Sequence, residues 1–353
     1  MQIDLHFGMT WVVARAAGFS PKDAKVIAHA SQYVDDATNQ GTIKFSNGAT
    51  YKRITTAHKM LDYRNLQSLK NQQVWIPFHF LPGNDGLPAG SNPSGSFIRK
   101  LVCKPNSYVA KDMVDECIAN RHRPYALHLL GITSHVFIDT YGHQGFAGVQ
   151  HQINNVDNIR DHNGQLDSNW MQRVSDYFMD VMQDEIPSLG HGQALSNPDL
   201  PHQHWSYMNG LGERIERNNP KDFLEAANEL CKVYQTYLQH TPVGLSSHIK
   251  TLIAQCFSEF DMDGGELRLK LWLEAIARDR FGLGAYQLAY IAKGLGSWKH
   301  QALGTVLSDG DEDDYLFSQA FLSSDWKLFH DAAKQHRFNV VDIILPRYGI
   351  CVS

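Results

Sequence analysis

The sequence predicts a mainly α-helical fold, and three observations carry that expectation. Apolar residues recur three and four apart over long segments. Helix-start residues stand before several of those segments, and no segment sustains the alternation of a half-buried strand. At 353 residues the chain can bury a large core as one domain or two. Its 43% hydrophobic and 20% charged residues place it among soluble globular chains rather than disordered ones.

Taken in order, residues 8–18 are apolar and rich in alanine. Ser20-Pro21-Lys22-Asp23 then supplies an N-cap, a proline at the first helical position and an acidic third position. A helix is predicted from Pro21 to Asp35, with Ala24, Ile27, Ala28 and Ser31 at helical spacing. Residues 36–56 are polar and contain Asn47-Gly48, which suits a short hairpin. A Gly/Pro/Ser/Asn-rich loop runs from Pro82 to Ser96, long enough to be functional or mobile. Helices follow at 107–120 and 122–141. The stretch 143–204 is then rich in Gly, His, Asn and Pro around one helix near 168–185. From Lys221 the helical pattern resumes, broken at Asp261–Gly265 and at the acidic loop Ser308–Asp314.

Several function classes lose support at once. A net charge of -5 offers no general attraction to nucleic acid or to a membrane surface, so a polyanion or lipid has to be met by local features. The five cysteines are scattered, odd in number and without a CxxC pair, against a disulfide framework or a thiolate metal site. The N-terminus shows no basic segment followed by an apolar core, and no apolar run approaches the roughly 20 residues of a membrane span. A cytoplasmic protein, or one exported without a cleaved signal, is expected.

The 18 histidines are informative by placement. In Ser134-His135-Val136-Phe137-Ile138-Asp139-Thr140-Tyr141-Gly142-His143, the first His and the Asp stand one helical turn apart on one face. His143 follows Gly142, where the helix is expected to end. His128, seven before His135, shares the stripe. A His and an Asp one turn apart suit a metal cluster in which the carboxylate bridges two ions. The same spacing also suits a buried helix with one satisfied His-Asp pair and a capping His143. Outlying candidates are Asp4 and His6, Asp35 and Asp36 at the end of the second helix, His79 among aromatics, His191 between glycines, and Asp199. Each alone reads equally as a cap, a turn or a core residue.

In this order these residues resemble the superfamily of zinc-dependent phospholipases C and single-strand-specific nucleases, and the phrase Gly131 to His143 is similar to its phospholipase C branch. The likeness covers about residues 1–207. It implies a helical, zinc-dependent phospholipase C-like bundle with long loops, catalytic over 1–214, and a helical C-terminal extension at 215–353 whose role is unreadable. It implies three zinc ions. Asp35, His79, His135 and Asp139 would hold the first, and His143, His191 and Asp199 the second. His6 and the bridging Asp139 would hold the third, with Asp4 standing in for the N-terminal tryptophan of the best-known members. The late carboxylate of relatives falls on Leu195 here, which leaves Asp199, His202 or His204 to supply that ligand. Asp35 would orient or deprotonate the attacking water, with Asp36 as the second candidate.

The resemblance further implies a phospholipid or other phosphodiester substrate, transient contact with a membrane surface and no stable nucleic-acid partner. Tyr33, Trp75, Phe78, Trp205 and Tyr207 flank the ligands and could cage a choline or stack a base. A nuclease, and a non-catalytic helical module with structural zinc, stay open beside the phospholipase. Asp261 to Glu266 imitates the start of a calcium loop, but Glu266 and Trp272 occupy the positions that need Gly and Glu. The apolar ending through Val352 is expected to be docked or buried in an interface.

Overall fold

The chain is seen in a computed structural model that describes residues 2–58, 68–170, 173, 190–307 and 310–352. The expected helix near 168–185 and two residues of the acidic loop lie largely or wholly outside those residues.

The fold is mainly helical. A π-helical turn, Asp4–Met9, runs straight into α1 (Thr10–Ala17), and α2 spans Pro21–Asp36. Ser20 accepts from the Asp23 amide and Pro21 opens the helix, as the sequence signature requires. A hairpin follows, β1 (Gly41–Lys44) against β2 (Thr50–Arg53), with Asn47-Gly48 in its loop. Next come α3 (Ser68–Phe78), α4 (Ile98–Leu101), α5 (Tyr108–Ala119) and α6 (Ala126–Gly142).

The stretch after α6 departs from expectation. Strands β3 (Val156–Asp161), β4 (His204–Asn209) and β5 (Arg214–Asn218) form an antiparallel sheet in chain order. Their pattern is weak in sequence because β3 carries a register shift between Asp157 and Arg160, and β5 is polar on both faces except at Ile215. Beyond it lie α7 (Asn219–Tyr237), α8 (Ser247–Glu259), α9 (Gly265–Ala277), α10 (Trp298–Leu303), α11 (Asp325–Phe338) and α12 (Leu345–Arg347).

The division expected after residue 214 cuts β5 behind its first residue. The two sides also share one hydrophobic core, in which Val13, Ile27, Leu130 and Ile138 lie with Phe223, Ile253, Trp272 and Phe329. The C-terminal Ile344, Leu345, Tyr348 and Ile350 are buried in it, so the tail is docked. A smaller core under the sheet gathers Phe80, Phe146, Trp205 and Tyr207.

At the centre α2 packs against α6. Gly131 allows the approach, because a Cβ there would stand 2.4 Å from the Ile27 carbonyl oxygen and 2.6 Å from the Ala30 Cβ. That contact brings the C-terminal end of α2, with Asp35, alongside the second half of α6, with His135 and Asp139. No described helix is long and apolar enough to cross a membrane.

Candidate metal centre

Five elements deliver the donors. The N-terminal turn brings His6, α2 brings Asp35, and the end of α3 leads into His79. Helix α6 presents His135 and Asp139, with His143 at its C-cap. The segment before β4 adds His191 and Asp199. Among the described residues three groups of donor atoms come close enough to hold an ion: His6, Asp35 and His135; His79, His135 and Asp139; His143, His191 and Asp199.

The inner group is tight. His135 Nε2 stands 3.2 Å from His79 Nδ1 and 3.1 Å from Asp139 Oδ2, and the His79 Nδ1 to Asp139 Oδ2 distance is 3.5 Å. Asp35 Oδ1 lies 3.8 Å from both ring nitrogens. On the other side Asp139 Oδ1 is 3.2 Å from His6 Nε2, and the His6 ring stacks on His135 at 3.8 Å. His6, His135 and Asp139 have no exposed side-chain surface, whereas Asp35 is 32% exposed and forms the rim.

The outer group is looser. Asp199 Oδ1 is 3.8 Å from His143 Nε2 and 3.8 Å from His191 Nε2. Phe80 stacks on His143 at 4.5 Å, and its ring fills the space where a side chain at Gly190 would go, 2.3 Å from that Cβ position. Glycine before His191 is therefore a packing requirement.

The far side of each ring decides what the near side can do. His135 Nδ1 donates to Ser31 O (2.8 Å), His79 Nε2 to Thr56 O (2.9 Å), His143 Nδ1 to His79 O (2.8 Å) and His191 Nδ1 to Leu195 O (3.1 Å). Four imidazoles thus engage one ring nitrogen with a backbone carbonyl and turn the other toward three carboxylates. Ring nitrogens and carboxylate oxygens that converge at 3.1 to 3.8 Å are the donor set that a metal ion takes. Backbone or carboxylate acceptors on the outer nitrogen are also how metal-bound histidines are oriented. The residues fit a metal ion.

The electrostatics agree. Burial holds the His6 imidazole well below its ordinary value and brings His143 down to about 3, so both stay neutral bases. Burial pushes the Asp139 carboxyl up, but attraction to His143, His135 and His6 whenever those rings carry a proton outweighs it and holds it well below the usual range. Asp199 is lowered in the same way, with burial opposed by His191 and His143.

Most of the expected ligands therefore meet, and two expected residues take other work. Asp4 does not substitute as a ligand: its carboxylate is bound by Arg268 at 2.7 and 3.1 Å. Asp36 accepts from Tyr290 Oη at 2.5 Å and from Gln32, so its Oδ2 is already engaged by two donors. His128 pairs with Asp325 at 3.0 Å. Of the three candidates for the late ligand, Asp199 joins His191. Leu195 contributes its carbonyl to that histidine from a left-handed backbone, φ 52°.

Four of the five flanking aromatics are core. Tyr33, Phe78, Trp205 and Tyr207 are buried, and half-buried Trp75 alone stands beside a ligand, 5.1 Å from the His79 ring. The calcium-like stretch is organised by an arginine, since Arg268 donates to the carbonyls of Met262 and Asp263. Sequence reasoning missed Arg217, which donates to Gly142 O (3.0 Å) and Tyr141 O (2.9 Å) and so caps α6 where His143 leaves it. It also missed Arg268 and Tyr290. A lone Arg or Tyr far along the chain carries no spacing signal.

The chain matches the model of a family of unknown function, DUF6765, over residues 1–344, and it belongs to that family. No curated protein and no solved structure matches it.

Proposed function

We propose that this member of a family of unknown function is a zinc-dependent phosphodiesterase of the phospholipase C kind, acting on a glycerophospholipid. One observation carries the reading. His79 Nδ1, His135 Nε2 and Asp139 Oδ2 form a triangle with sides of 3.2, 3.1 and 3.5 Å, and Asp35 Oδ1 stands over it at 3.8 Å from both rings. Zinc bonds of about 2.0–2.1 Å in a tetrahedron put donors roughly 3.3 Å apart. The helical bundle, the ordered ligands along it and the second group at His143, His191 and Asp199 fit the same superfamily.

Bound zinc supplies hydroxide near neutral pH and neutralises charge on phosphoryl oxygens. The chain's own residues set the rest. Asp35, at the exposed rim, is placed to take or orient a proton of the incoming water. Asp139 joins His6 to the His79–His135 pair, one oxygen to each. The buried apolar shell around α6 keeps the imidazoles fixed and limits access to the rim. Trp75 offers an aromatic face beside His79 for a quaternary ammonium head group. That face would stack a base equally well, so the nuclease reading is separated by substrate.

The test is zinc loading followed by hydrolysis of a phosphodiester dye, then of phosphatidylcholine vesicles against single-stranded DNA. Turnover of the vesicles supports the proposal, and turnover of DNA alone moves the activity to the nuclease branch. Full zinc with no turnover of any of the three would leave the zinc structural.

A further inference from the structure

The C-terminal half sends two side chains to the parts of the chain that carry His6 and Asp35. Arg268, on α9, is fully buried and uses all five of its donors. Nε and Nη2 bind the Asp4 carboxylate at 2.7 and 3.1 Å, and Nη2 also reaches Gln2 Oε1 at 2.9 Å. Nη1 bonds the carbonyls of Met262 (2.6 Å) and Asp263 (3.0 Å). One guanidinium therefore fixes the N-terminal turn, two residues before His6, to the start of α9. His6 needs such a fixture more than the other ligands do. Its Nε2 faces Asp139 Oδ1 at 3.2 Å and its Nδ1 has no hydrogen-bond partner, whereas His79, His135, His143 and His191 are each oriented by a backbone carbonyl.

Tyr290 does the corresponding work at Asp35. Two adjacent carboxylates at the C-terminal end of α2 face the negative end of the helix dipole and each other, an arrangement that needs donors. Gln32 Nε2 spans both, 3.3 Å from Asp35 Oδ2 and 3.3 Å from Asp36 Oδ2, and Tyr290 Oη donates to the same Asp36 oxygen at 2.5 Å. This leaves Asp35 Oδ1 facing the two imidazoles. The Tyr290 ring also packs on Phe7, the neighbour of His6, at 5.2 Å. Tyr290 thus touches the residue after each of the two ligands.

We propose that Arg268 and Tyr290 are positioning residues for the His6–Asp35 side of the metal centre, so that residues 215–353 complete that side without supplying a ligand. This rests on the metal centre proposed above, and the measurement separates the two claims. Zinc(II) alone is titrated into the full chain against a competing chelator, with stoichiometry and affinity read for both groups. Tyr290→Phe removes one hydroxyl and is expected to weaken the inner group about 10-fold while leaving His143, His191 and Asp199 unchanged. Arg268→Gln alone strands a buried carboxylate and is a poor reporter. The pair Asp4→Asn with Arg268→Gln removes both charges and is expected to weaken the inner group by 10- to 100-fold. In a His6→Ala background the same pair should cost little more, because its effect passes through that ring.

Inner affinity unchanged in both variants overturns the positioning role while the metal centre stands. So does equal weakening of inner and outer groups, which would make the contacts merely structural. A wild-type chain that binds no zinc overturns the metal centre and this inference with it.

Discussion

In the inner group the donor atoms facing His135 lie 3.1 and 3.2 Å away, and His6, His135 and Asp139 are sealed in the main core between α2 and α6. In the outer group both contacts to Asp199 are 3.8 Å, with His191 20% and Asp199 13% exposed, against the smaller core under the sheet. The chemistry is the same in both, imidazole and carboxylate with N–H groups turned to carbonyls. The difference lies in what holds the donors. Helix–helix packing sets His135 and Asp139 beside Asp35, and the buried N-terminal turn and His79 close on them at 3.2 to 3.5 Å. The outer set hangs on a helix end and a Gly-rich segment, and its rings are set by Phe80, the His79 carbonyl and the Leu195 carbonyl. Preorganisation, rather than ligand type, separates the two groups, and it should separate their affinities.

The largest effect expected is from Asp139→Ala. Asp139 contacts His6 and the His79–His135 pair, and lies 3.7 Å from His143, so its loss should abolish inner zinc and weaken the outer ion. Bound zinc per chain, measured by elemental analysis after gel filtration, checks this; an undiminished value would end the comparison. His191→Ala should remove the outer ion alone, with inner affinity within about 3-fold of wild type and an unaltered circular dichroism spectrum. Loss of both ions would mean that the groups form one cooperative site.

Acid should then distinguish burial from metal. His29 and His330 are held down to about 3 and His336 to about 4, each by burial first, and none of them is a proposed ligand. These rings are neutral in the folded chain and take protons on unfolding below pH 6.5. Stability is therefore complete above about 6.5 and falls as the pH drops from there toward 4. The slope is at most about 1.4 kcal/mol per histidine per pH unit. Urea midpoints taken in chelator across that window should decline steadily, and a flat profile would show that those rings are not kept neutral. The smallest effect is expected from Arg217→Met, which removes the Arg217 bonds to Gly142 O and Tyr141 O and leaves Gln144 on the latter. Outer zinc should weaken about 10-fold and the inner ion should stay. Inner loss would place the weakness of that variant in the whole of α6.

Much of this was legible in sequence. The capped α2, the hairpin at Asn47-Gly48 and α6 each have a local cause, in an N-cap, a turn dipeptide or a long apolar run. His135 and Asp139 are readable for the same reason, since four residues is one turn. The three-stranded sheet was not readable, because short, partly polar strands with a register shift leave no alternation. The roles of Asp4 and Asp36 were misjudged because a carboxylate beside a ligand looks like a ligand until its partner is seen. Their partners lie 264 and 254 residues away.

The sequence by itself determined the helices, their caps and the order in which imidazoles and carboxylates occur. These depend on neighbours within a turn or two. Only the tertiary structure decided which of those side chains share a volume, which carbonyls take their N–H groups, and that the C-terminal half closes on the N-terminal turn. Such pairings depend on burial, on the close approach allowed at Gly131 and on charges that must be neutralised once water is excluded, and none of these has a period along the chain.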